Sequence, residues 1–189
     1  MPEELTVVDA DQETAWGAIG TEFPLWQAKE AMSQIEKRIT AQTTTLGVYE
    51  TRATTLLGWL SAEIIATATA AISSLLKAPS PVMDTGTTLI LAASVLIPAM
   101  TSAFCLAKVF SSKDWSLGGV DIRWLMDADH ADPSELEVLQ EFAKKGLAGV
   151  SANHSILLSA YKWLTLGWKI FLVVPVSALI VSLFVALVK

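Results

Sequence analysis

Three apolar stretches, Thr54 to Leu76, Gly86 to Val109 and Leu164 to Val188, constrain this chain more than any other feature. Each carries a single charge (Glu63, Lys108 and Lys169), and each reaches the roughly 20 residues a helix needs to cross a hydrocarbon core. A buried soluble helix would explain any one of them, but not three in 189 residues. Only 17% of residues are charged, where a soluble domain carries about a quarter. The expectation is an all-α membrane protein with three transmembrane helices. Pro98 and Pro175 fit it, because membrane helices tolerate proline kinks when neighbouring groups satisfy the freed carbonyls. The formal charge of −6 argues against nucleic acid as a partner, and the lone Cys105 rules out an intrachain disulfide or a cysteine metal cluster.

The charges between the stretches set an orientation. Lys29, Lys37, Arg38 and Arg52 precede the first span, and Lys108, Lys113, Arg123, Lys144, Lys145 and Lys162 lie around the segment between the second and third. The positive-inside rule makes both regions cytoplasmic, so the chain is expected to be a multi-pass protein of the inner membrane with its C-terminus external. The expected organisation is an acidic N-terminal segment over 1–23, a cytoplasmic stalk helix over 24–53 and a first span over 54–76. An external turn over 77–85 and a second span over 86–109 complete a hairpin. A cytoplasmic or interfacial segment over 110–132, a second stalk over 133–163 and a third span over 164–188 follow. The opening segment lacks an apolar core and is not expected to act as a signal peptide. Tyr161, Trp163 and Trp168 bracket the start of the third span, where amphipathic rings favour the interface, and Lys169 can snorkel to the same level.

Both stalks carry a heptad seam. Ala28, Met32, Ile35, Ile39, Gln42, Leu46, Tyr49, Ala53, Leu56 and Leu60 alternate spacings of four and three, and no proline interrupts the run between Pro24 and Pro79. Leu136, Leu139, Ala143, Gly146, Val150, Asn153, Leu157, Ala160 and Leu164 repeat the spacing with smaller side chains. In Asp132-Pro133-Ser134-Glu135 we read an N-cap at Asp132, a proline at the first helical position and an acid in the first turn. Both stalks run towards the membrane, so they pair in parallel if they pair. Gln42 and Asn153 then stand at a similar height, roughly 16–18 Å above the membrane surface. There they can fix the register by bonding to each other or to symmetry copies, or they can simply face water.

Glu63 is the one acid inside a span, and an intramembrane carboxylate marks a pore-lining group, a proton site or a contact between helices. Its face continues through Thr67, Ala70 and Ser74, a small polar stripe suited to helix–helix contact. DADHADPSE (Asp127 to Glu135) clusters three aspartates around His130 but lacks the glycine and alternating oxygens of a calcium loop, so it reads as an acidic lead-in to the second stalk. His154 lies beside a seam, and neither histidine has a nucleophile to serve. No catalytic residue, metal site or cofactor is expected. Trp115, Leu117, Ile122 and Trp124 make the segment after the second span too apolar for a free loop, and mark it as a candidate surface for a cytoplasmic partner.

In YETRATTLLGW at the first span, and in GVSANHSILLSAYKWLTLGWKIF leading into the third, the chain resembles the small bacterial transmembrane effectors of anti-phage defence systems of the CBASS and Pycsar type. The resemblance lies in order and spacing, and the chain departs from the group in having no cyclic-nucleotide-binding domain. It implies a homo-oligomer that perturbs or permeabilises the inner membrane on a cytoplasmic signal supplied by another protein. Two alternatives stay open: a phage-type holin, and a non-conducting scaffold that binds a partner through its stalks.

Overall fold

The computed structural model describes residues 22–76, 84–111, 115–116 and 134–188. They form a bundle of three long helices: α1 (Phe23–Leu76), α2 (Thr85–Ala107), which tightens into a 3₁₀ turn over Lys108–Phe110, and α3 (Glu135–Val188). All three are long and apolar enough to cross a membrane, which supports a multi-pass topology. At about 1.5 Å per residue, the 54-residue α1 and α3 are more than twice as long as a hydrocarbon core is thick. Each is therefore long enough to cross such a core with about half of its length to spare.

Local chemistry explains where the helices start and why α1 continues unbroken. Pro24 occupies the first turn of α1, where its missing N–H would have had no partner. Asp84 caps α2 by accepting a hydrogen bond from the Thr87 amide (3.2 Å). At the described start of α3 Ser134 acts as a cap, while Asp132, anticipated for that role, lies outside the described residues. The Ser134 hydroxyl accepts from the Glu137 amide at 3.3 Å, while the Glu137 carboxylate accepts from the Ser134 amide at 3.2 Å. This reciprocal box satisfies two end donors, where a single cap satisfies one. Mid-way along α1, the β-branched threonines 43–45, 51, 54 and 55 fold their hydroxyls back onto carbonyls one turn earlier, at 2.8–3.0 Å. Such back-bonding does not itself favour helix, so packing of the seam residues Leu46, Tyr49, Ala53 and Leu56 keeps the stretch helical where its intrinsic propensity is poor.

α1 and α3 run parallel. Lys29 pairs with Glu135 at 2.9 Å, Gln42 reaches Val150, and the Tyr49 and Tyr161 rings lie 6.1 Å apart, so the two chains advance in step. The Lys29–Glu135 pair is exposed and marks this register more than it stabilises it. All ten positions of the first seam fall on the buried or half-buried face of α1, and all nine of the second do so on α3. At Gly146 the helices come so close that an added Cβ would stand 2.7 Å from Ile35 Cγ2.

α2 runs the other way. Ser102 donates to the Gly167 carbonyl at 2.8 Å, and Ser177 to the Ser94 carbonyl at 2.8 Å, so α3 numbers rise as α2 numbers fall. The second bond repairs a proline defect. Pro98 has no N–H to offer the carbonyl four residues earlier, which is that of Ser94, and the Ser177 hydroxyl, whose one proton is shared with the Val174 carbonyl at 2.9 Å, reaches it from the neighbouring helix. The core, built on Ala53, Leu60, Ala99, Leu106, Ala160, Leu164 and Val174, sits where the three helices meet. Below it only 6% of the most apolar part of α1 and of α3 is buried within the protomer. Trp59, Ile65, Ile97, Phe104, Leu179 and Phe184 are all more than 60% exposed, as lipid-facing side chains are.

Candidate functional site

Two places gather the residues that the sequence singles out. The first is a polar junction on the stalks. Asn153 is fully buried, its amide turned inward by the seam, and it meets the chain returning from α2. Its Oδ1 accepts from the Ser116 amide and its Nδ2 donates to the Ser116 carbonyl, both at 2.8 Å. One side chain thus satisfies both main-chain groups of Ser116, and clamps that residue against α3. Gly149, one turn earlier, makes room for it: an added Cβ would stand 3.2 Å from Ser116 Cβ and closer still to Oγ.

Gln42 approaches the same turn of α3 from α1. Its Nε2 donates to the Val150 carbonyl at 3.0 Å, and its Oε1 is buried without a partner. Gln42 and Asn153 therefore do not bond to each other, as the heptad reading allows, and Asn153 does not face water. Each finds main chain instead: Gln42 that of Val150 on α3, and Asn153 that of Ser116. Trp115 is half-buried next to Ser116, and its indole N–H is also buried without a partner. An orphan acceptor and an orphan donor make this the least satisfied polar region among the described residues. Leu117, Ile122 and Trp124 lie outside the described residues, as do His130 and most of the acidic lead-in.

The second place is in the membrane half. Glu63 is half-buried on the inward face of α1, between the buried Leu60 and the half-buried Thr67. It takes part in no hydrogen bond or ion pair among the described residues. One turn further on, Thr67, Ala70 and Ser74 line an open groove of about 290 Å³, closed on its other sides by Thr88 and Ser94 of α2 and Ser182 of α3. Sequence reasoning found the α1 wall of this groove through its small-residue stripe. It missed the hydroxyls facing it, since their alignment depends on the antiparallel register of α2. Among the described residues no group of His, Cys, Asp or Glu is placed to hold a metal ion. Cys105 is buried and free. Compared with known proteins, the chain matches no family model, no curated protein and no solved structure at a significant level.

Proposed function

We propose that the protein is a self-associating membrane effector. The stalks receive a cytoplasmic cue, two unbroken helices carry the displacement into the bilayer, and spans of neighbouring copies meet around Glu63 and perturb the membrane. The observation that carries this reading is the solitary Glu63. It lies about 14 Å past Thr54 on α1, a depth at which an acidic side chain costs about 3 kcal/mol unless it meets a polar partner. Within the protomer it has none among the described residues, and a second copy can supply one. The hydroxyl-lined groove beside it and the sparse burial of α1 and α3 leave the surface that such assembly requires. The stalks supply the input end, because Asn153 ties the segment returning from α2 to α3, and one turn away Gln42 ties α1 to α3.

In this reading the N-terminus and both stalks are cytoplasmic and the C-terminus is external, following the charge asymmetry of the connecting segments. The anti-phage setting comes from the resemblance in element order alone, and the signalling partner is a cytoplasmic protein. Induced expression in bacterial cells with a membrane-potential dye tests the proposal. Depolarisation and growth arrest are expected. Glu63→Gln should still insert and should lose most of the depolarisation; equal depolarisation by the variant refutes the role of Glu63. No depolarisation and no arrest, with or without neighbouring genes, would leave a non-conducting scaffold.

A further inference from the structure

A second cavity opens at the level where the stalks meet the spans. It is a mostly apolar cleft of about 510 Å³ between α1 and α3, walled by Tyr49, Arg52 and Leu56 on one helix and by Tyr161, Thr165 and Trp168 on the other. Its volume is that of a small-ligand site. The tyrosines approach each other at one end, while Trp168, seven residues or about 10 Å further along α3, stands at the other. This is the aromatic arrangement of a membrane interface, with the apolar end directed along the spans.

The charges around the cleft are of one sign. Arg52 lines it, is exposed, and has no carboxylate partner among the described residues. Lys162 and Lys169 lie three residues before and four after Thr165, on the same side of α3, and both are exposed. No acidic residue lines the cleft, and α3 has none after Glu141. Glu50 is two residues from Arg52 and so points to another face of α1. A chain whose net charge is −6 thus carries a basic collar at this one level.

We propose that this cleft binds one anionic phospholipid, with the headgroup phosphate on Arg52 and the basic collar and an acyl chain along Leu56, Leu164 and Trp168. An apolar groove opening towards spanning helices is bathed by lipid. The collar then selects among lipids, since each basic residue near an anionic membrane surface favours binding by about fivefold. The bound lipid touches both long helices at their junction with the bilayer, and so couples lipid composition to the separation of stalk and span. This inference rests on the membrane-spanning reading of the three helices, but not on any membrane perturbation.

Native mass spectrometry of the full chain, released from detergent micelles holding equal amounts of phosphatidylglycerol and phosphatidylcholine, tests it. Phosphatidylglycerol should be retained in preference, and Arg52→Gln should reduce that preference about fivefold. Arg52→Lys should keep most of it, and Lys144→Gln, on the stalk, should leave it unchanged. Millimolar inorganic phosphate should not displace the lipid. Equal retention of both lipids, an unaltered preference in Arg52→Gln, or displacement by free phosphate would overturn the assignment. Alkaline extraction run in parallel separates the two levels: a protein that leaves the membrane pellet refutes the spanning reading, whereas one that stays but shows no preference refutes only the lipid site.

Discussion

Replacing Asn153 with leucine tests whether the polar junction holds the α2 return to the stalks. The side chain is fully buried and makes both of its bonds, at 2.8 Å, to the main chain of Ser116. Leucine has the same number of side-chain heavy atoms and a similar branched shape but is bulkier, so it leaves no cavity but strips the Ser116 N–H and C=O of their partners. Each unsatisfied group costs about 1–3 kcal/mol, so the loss is about 2–6 kcal/mol before compensation. Burying leucine returns about 2 kcal/mol, and Ser116 is only half-buried, so water recovers part of the rest. The mid-range of these terms leaves a net local cost of about 1–2 kcal/mol, which corresponds to roughly 5- to 30-fold faster exchange of the Ser116 amide. Hydrogen exchange read by mass spectrometry on the peptide containing Trp115 and Ser116 measures this directly. Asn153→Asp should be at least as damaging, because a carboxylate can accept from the Ser116 amide but presents an acceptor to its carbonyl. Exchange of Ser116 within about threefold of the parent in Asn153→Leu would refute the clamp.

Three further outcomes follow from the packing. Gly167→Ala should weaken the α2–α3 contact by about 1–3 kcal/mol, since a Cβ there would stand 2.7 Å from Leu106 Cγ. Leu106→Ala should relieve much of that clash, and additive costs in the double variant would count against it. Ser177→Ala should cost about 0.5–2 kcal/mol by orphaning the Ser94 carbonyl, and the cost should shrink in a Pro98→Ala background, where the helix regains its own donor. A double-mutant cycle read by denaturation in detergent gives the coupling, and a value near zero rejects the repair. Ser134→Ala should cost about 1 kcal/mol by opening the capping box, seen as faster exchange confined to the first turn of α3.

The parts of this fold that repeat along one helix are the parts that its sequence displays. The seam from Ala28 to Leu60 faces inward at every position because a spacing of 3.5 residues selects one face whatever the partner is. The same logic exposes the Thr67–Ala70–Ser74 stripe and the three spans. Contacts between helices behave differently, since they depend on register, which no local pattern encodes. Pro98 announces in the sequence that the Ser94 carbonyl is free, but the hydroxyl that answers it lies 83 residues away on an antiparallel neighbour. Asn153 is a polar residue in an apolar seam, so a buried role could be read; its partner could not, because Ser116 reaches it only through the path taken after α2. At the start of α3 the Ser134–Glu137 box satisfies two orphan groups at once, and a serine followed three residues later by a glutamate displays it in the sequence. Glu63 belongs to both categories. Its depth and its inward face follow from the pattern around it, whereas its partner depends on a register, and in this protomer none of the described side chains supplies one. In the apolar half of the bundle Glu63 is thus a polar group left unanswered by the described residues of the protomer.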